Sequence, residues 1–187
     1  MDEAFYAEGL RFSCERCSFC CRGESGYIFL SPDDLRRLLR RLSLDFKSFF
    51  RDYCILVDTG CGMALSLRDV ARARGSGGAG VSWDCVFWRE SGCEAYEDRP
   101  VQCTTYPFWS SILESEASWR DEARSCPGIG SGELRSRSYI EECLSARRMA
   151  GTVVLAYGVD PECSDEDSIL GSSGLSSDAA DAVEGKK

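Results

Sequence analysis

The chain has 187 residues, enough to bury one core and too few for two comfortable ones, so one domain with appendages is expected. Its formal charge is -9, and the segment from Asp160 to Lys187, with eight acidic and two basic residues, carries -6 of it. The near-balanced remainder lacks the basic stripe that a nucleic-acid surface needs.

Twelve cysteines and no histidine then set the chemistry. Such density fits either a secreted disulfide scaffold or a thiol-rich intracellular protein. The N-terminus, Met1-Asp2-Glu3-Ala4-Phe5, is acidic, with no basic leader and no apolar run, so no signal peptide is expected. The longest apolar-rich run, Thr152 to Tyr157, is far short of a membrane span. A cytoplasmic chain with no membrane or nucleic-acid partner follows, and in a reducing compartment clustered cysteines read as metal ligands or redox groups.

In chain order, Met1 to Phe12 show little pattern. Cys14-Glu15-Arg16-Cys17-Ser18-Phe19-Cys20-Cys21 packs four thiols into eight residues and is expected as a loop or knuckle. Tyr27–Leu30 is a short strand candidate. Ser31-Pro32-Asp33-Asp34 is a helix start, with an N-cap hydroxyl, proline at the first helical position and carboxylates where the dipole favours them. Leu35, Leu38, Leu39 and Leu42 form one apolar stripe, and Arg36, Arg37, Arg40 and Arg41 read as a solvated opposite face. Phe46, Phe49, Phe50 and Tyr53 predict a second helix with a core face. Cys54–Val57 and Met63–Leu67 read as strands around a turn, and Arg68–Gly80 as a charged, then glycine-rich, flexible loop without a phosphate-cradle ending.

The thiols return at Cys85, Cys93, Cys103 and Cys126, interleaved with Trp83, Phe87, Trp88, Tyr96, Tyr106, Phe108 and Trp109. A final helix is predicted from about Gly132 or Ser138 to Tyr157, with Ser138 and Glu141 as a capping box and Gly158 and Pro161 as its stop. Ser164 to Lys187 holds almost nothing to bury and is expected to be disordered. The predicted fold class is α+β, mainly helical: a small metal-stabilised domain over 1–159 with short strands and irregular cysteine-rich loops, then an acidic Ser/Gly-rich tail over 160–187.

Cys14-x2-Cys17-x2-Cys20 puts three sulfurs on one curled loop, as ferredoxin-type loops do, with a remote cysteine followed by proline at Cys126-Pro127. Structural zinc sites also use C-x2-C knuckles, normally paired with a second one, which is absent here. With no histidine, every soft ligand must be cysteine. Adjacent Cys20 and Cys21 tend to diverge, so one of them suits a second site, and eight cysteines supply two four-sulfur shells.

The pattern C-x2-C-x2-C-C, then Cys85-Val86-Phe87, then Cys93-x2-Tyr96-x2-Arg99-Pro100-x2-Cys103-x3-Pro107-Phe108, then Cys126-x-Gly128, resembles the CxxCxxCC zinc- or iron-chelating domain family, the YkgJ-type cysteine cluster proteins. The resemblance runs from about Phe12 to Gly128. It implies a metal-chelating domain with ligands Cys14, Cys17, Cys20, Cys21, Cys85, Cys93, Cys103 and Cys126, and leaves Cys54, Cys61, Cys143 and Cys163 outside the pattern. The glycine that the family commonly carries between the second and third cysteines is replaced by Ser18-Phe19.

An iron-sulfur cluster (4Fe-4S) or zinc is the expected cofactor, with the first loop tilting the choice toward iron-sulfur and one or two centres left open. Three roles remain open. The metal could hold together a structural zinc-binding interaction module. It could support electron transfer or a protein-lysine methyltransferase-like reaction, since the family includes flagellin lysine N-methylases; against an enzyme stand the missing histidine base and the missing Gly-rich nucleotide signature. It could be cargo for storage or delivery, with a protein partner using the acidic tail. Arg99 reads as an anion ligand, a partner stacked on Tyr96 or Trp88, or an anchor for the loop between Cys93 and Cys103.

Overall fold

The helix start at Ser31 is present in the form the sequence predicts. In a computed structural model, which describes residues 4–73 and 80–172, the Ser31 hydroxyl accepts from the Asp34 amide and the Asp34 carboxylate accepts from the Ser31 amide. The elements in chain order are β1 (Leu10–Phe12), β2 (Ile28–Phe29), α1 (Pro32–Leu42), α2 (Phe46–Tyr53), β3 (Cys54–Asp58), β4 (Met63–Leu67), β5 (Asp69–Ala73) and β6 (Val81–Cys85). They continue with β7 (Trp88–Arg89), β8 (Gly92–Cys93), α3 (Val101–Thr105), α4 (Glu116–Glu122), β9 (Ile129–Arg135), α5 (Arg137–Ala150), β10 (Val154–Leu155) and α6 (Glu166–Ser172).

The expectation of a mainly helical chain is corrected. Helix takes 37% of the described residues and strand 23%, so the fold is a mixed α+β one with several small sheets. The reason is that short segments pair as strands, some with neighbours and some, such as β1 with β9 and β10 with β4, with partners about ninety or more residues away. Asp69–Ala73, expected as loop, pairs antiparallel with Val81–Cys85 as β5 and β6. The glycine-rich stretch between them, 74–79, lies outside the described residues.

The last predicted helix is also shorter. Ser136, not Ser138, caps α5, and Gly151, at φ 66, ends it. Beyond Gly151 the β-branched run Thr152-Val153-Val154 leaves the helix and docks on the sheet. Val153 N–H donates to the Leu30 carbonyl, and its own carbonyl accepts from Leu65 N–H. Strand β4 is the centre of that sheet, with β3 along one edge and β2 and β10 end to end along the other.

Two larger apolar clusters result, with a small third one of Phe29, Ala64 and Val154. In the main core, Leu35, Leu38 and Leu39 of α1 and Phe46 and Phe49 of α2 cover Ile28, Leu65, Leu67 and Leu155 of the sheet, with Phe87 and Trp88 alongside. Each such side chain contributes about 1.5–3 kcal/mol by leaving water. The second cluster joins Phe12 of β1, Phe108, Ile112, Leu113, Trp119 of α4 and Ile140 of α5. The segment after Ser164 does bury something: Ile169 of α6, 1% exposed, packs on the main core. The remainder of the expected tail, 173–187, lies outside the described residues.

Candidate metal centre

The motif cysteines are spread along the sequence, and three junctions bring their segments together. The first joins the start of the cysteine loop to the region after Cys126. Strand β1 pairs with β9 through Phe12 and Ile129, and Ser13 N–H donates to the Gly128 carbonyl at 3.3 Å. The two chains approach so closely that a Cβ on Gly128 would collide with the Ser13 carbonyl oxygen, which explains glycine two residues after Cys126.

The second junction joins the end of the loop to β6. Trp83 N–H donates to the Gly23 carbonyl at 3.0 Å, and the Arg22 guanidinium pairs with Asp84 at 3.7 Å while lying 4.0 Å over Trp88. Arg22 and Asp84 are the immediate neighbours of Cys21 and Cys85. Arg72 of β5 closes on the same carboxylate at 3.4 Å. The third junction is Tyr96: Arg16, between Cys14 and Cys17, lies 4.2 Å over its ring, and Arg99 lies 3.7 Å over it. Arg99 thus stacks on Tyr96, one of the arrangements its sequence position suggests.

Helix α1 holds the Cys93–Cys103 segment in place. Asp34, fully buried, accepts from Val101 N–H at 3.0 Å and from Arg37 at 2.6 Å. Arg37 also donates to the Arg99 carbonyl, and Arg41 pairs with Asp98 at 2.9 Å and donates to the Glu94 carbonyl. Two of the arginines expected on a solvated face therefore form a clamp. Arg36 pairs with Asp33 on its own helix. From the other side, Gln102 accepts from Phe29 N–H and donates to the Tyr27 carbonyl.

Within the loop itself, Arg16 (φ 52) and Ser18 (φ 62) take left-handed backbone, and Phe19–Cys21 form one 3-10 turn. Ser18 thus occupies a conformation that glycine adopts without cost, which accounts for the glycine common at this stretch in the resembling family.

Cys14, Cys17 and Cys20 are exposed, Cys21, Cys93 and Cys103 half-buried, Cys85 and Cys126 buried, and no disulfide joins any of the twelve cysteines. The Cys20 and Cys21 sulfurs stand 3.8 Å apart. Burial pushes the Cys93 thiol up from its ordinary value; a backbone hydrogen bond from Ala95 and the Arg99 and Arg41 charges oppose the shift, and Cys21 adds to it electrostatically. Burial likewise raises Cys126, against backbone hydrogen bonds and a hydrogen bond to Tyr106, while Cys17 adds to the rise. Cys93 therefore feels Cys21, and Cys126 feels Cys17. The Tyr106 hydroxyl donates to the Glu122 carboxylate.

Among the described residues, no group of three or more Cys, Asp or Glu side chains is arranged to hold a metal ion. The donors nonetheless suit one chemically. An all-thiol set with no histidine selects zinc or iron-sulfur over hard cations. Arg99 supplies a second indication: its Nε and Nη1 are buried and have no hydrogen-bond partner among the described residues. A buried guanidinium donor without an acceptor is costly, and thiolates beside Cys93 would satisfy it while offsetting their own charge. Cys54 and Cys143 are buried in the two cores and Cys61 and Cys163 are exposed, Cys61 near the Thr59 hydroxyl at 3.5 Å and Cys163 donating to Asp160. Burial pushes the Cys54 thiol far up, which keeps it protonated and inert.

A cleft of about 1160 Å3 borders the cysteine loop. Cys17, Cys20, Arg22, Trp88, Tyr106 and Trp109 are in its wall. Sequence reading missed Asp34, Arg37, Arg41 and Asp84 as supports of the site. The only signal for the clamp was Arg37 and Arg41 sharing one helical face four residues apart.

These features define a class: a small mixed α+β protein, rich in cysteine and free of histidine, whose cysteine-bearing segments are joined by contacts between neighbouring residues. The chain belongs to the CxxCxxCC family, described as "Putative zinc- or iron-chelating domain", which its residues 13–127 match. No solved structure matches it. No helix among the described residues is long and apolar enough to cross a membrane.

Proposed function

We propose that this protein binds iron, as an iron-sulfur cluster, or zinc through all-cysteine sites drawn from Cys14, Cys17, Cys20, Cys21, Cys85, Cys93, Cys103 and Cys126. One observation supports this reading above the rest: cysteine-bearing segments from both ends of the matched region meet through the Ser13–Gly128, Arg22–Asp84 and Arg16–Tyr96–Arg99 junctions. Those junctions use the residues flanking the cysteines, as outer supports of a metal site do. Metal in thiolate sites of small zinc peptides is worth roughly 10–16 kcal/mol at neutral pH, comparable to the whole stability of a domain at about 5–15 kcal/mol. A fold-holding role is therefore the first reading.

Anaerobic purification followed by iron, zinc and acid-labile sulfide analysis, with a visible absorption spectrum, tests it. Near-equal iron and sulfide in a brown protein identifies a cluster; colourless protein with stoichiometric zinc identifies a structural module. Neither metal bound would refute the proposal.

A second reading, a centre that serves a reaction, is favoured by the cleft that Cys17 and Cys20 line together with Trp88, Tyr106 and Trp109. A structural site has no need of so large an opening beside its ligands. Methyl transfer to protein lysine belongs under this reading, and S-adenosylmethionine binding by the metal-loaded protein is its direct assay.

A further inference from the structure

We propose that the eight motif cysteines divide into two four-thiolate centres in unlike surroundings: an inner one of Cys21, Cys85, Cys93 and Cys103 built onto the main core, and an outer one of Cys14, Cys17, Cys20 and Cys126 that opens on the cleft. The inference deepens the metal-chelating reading above and rests on it.

The division follows the packing. Cys85 is part of the main core, and Cys21, Cys93 and Cys103 are the motif cysteines that pack against its surface. Each is tied there by its neighbours. Arg22 meets Asp84 over Trp88, next to Cys21 and Cys85. Strands β7 and β8 put Cys93 directly opposite Trp88. Gln102 bonds the backbone of Tyr27 and Phe29, so Cys103 is held to the strand that follows Cys21 by only a short link. Arg99, with its unsatisfied buried donors, lies in this same half.

The other four share none of that core. Cys126 is buried in the second cluster, and the Ser13–Gly128 bond sets the loop that begins at Cys14 against it. Cys17 and Cys20 line the cleft, as does Tyr106, whose hydroxyl side is anchored by Glu122 beside Cys126. Cys20 and Cys21 are consecutive yet fall on opposite sides: Cys20 is exposed toward the cleft and Cys21 is half-buried on the core. Their sulfurs, 3.8 Å apart, place the two centres side by side. That separation also suits two thiolates on one tetrahedral ion, so a single shared centre is the rival arrangement.

Metal stoichiometry of the full chain separates the two. The variants are Cys17→Ser, Cys126→Ala and the pair combined, each analysed for iron, zinc and sulfide alongside far-UV circular dichroism. Two centres predict that each single variant halves the bound metal, that the combined variant loses no more than either one, and that the fold persists. Loss of all metal in Cys17→Ser, or further loss when Cys126→Ala is added, overturns the division. Because the outer variants leave the main core intact, they test it even where Cys85→Ala fails to fold. Wild-type protein holding one centre's worth of metal overturns the division alone; wild-type protein holding none overturns the chelating reading with it.

Discussion

The surroundings of Cys93 and of Cys17 differ in almost every physical respect. Cys93 lies against the main core, on a segment clamped by Asp34, Arg37 and Arg41 from α1, with the Arg99 guanidinium near it. Cys17 is exposed on a loop between two left-handed residues, at the edge of a cleft. A thiol whose position is fixed by buried neighbours before any metal arrives costs little entropy to recruit, whereas an exposed loop must be ordered by the metal itself. Under the two-centre proposal, fold stability falls to the inner thiols and exchange or reaction to the outer ones.

The sharpest way to break this contrast is a pair of single substitutions compared by thermal melting of the metal-loaded chain. Cys93→Ser is expected to forfeit most of a stability that for such a domain is about 5–15 kcal/mol, while Cys17→Ser leaves a cooperative transition in place. Equal losses would erase the distinction. Asp34→Ala attacks the inner side without touching a thiol. It leaves the Ser31 and Val101 amides without their acceptor, so denaturant melts should show a loss of about 2–4 kcal/mol and weaker metal retention.

Smaller effects sharpen the picture at its margins. Deleting 164–187 removes Ile169 from the main core and should cost about 2 kcal/mol in the same melts; an unchanged midpoint would show that α6 adds nothing. Ser18→Gly relieves left-handed backbone in the outer loop and should gain about 1 kcal/mol at most, read as slightly tighter metal retention by the outer set. A loss there would mean that the Ser18 side chain does more than fill its place.

How much of this was legible in the sequence varies by element. Ser31-Pro32-Asp33-Asp34 announced α1, and the Phe46 to Tyr53 spacing announced α2, because caps and periodicity are local properties. The eight motif cysteines and Arg99-Pro100 led directly to the family that residues 13–127 match. What was not legible is long-range. Thr152 to Tyr157 read as helix because its strand partners, Met63 and Ala64, lie some ninety residues away in the chain. Arg37 and Arg41 read as solvated because their acceptors, the Arg99 and Glu94 carbonyls and Asp98, belong to a loop that no helical pattern reveals. Residues 69–73 read as loop because a strand with an exposed face and charges at both Asp69 and Arg72 carries little hydrophobic signal. The proposed grouping of the cysteines rests on the same kind of long-range packing, in the two larger apolar clusters.

The time course of metal release from the full chain to excess chelator, followed together with circular dichroism, tests the division of labour most directly. The account predicts two phases of equal amplitude: a fast one, from the outer centre, during which secondary structure is unchanged, and a slow one that coincides with loss of the fold. A single phase, with structure lost in step from the first ion released, would contradict it.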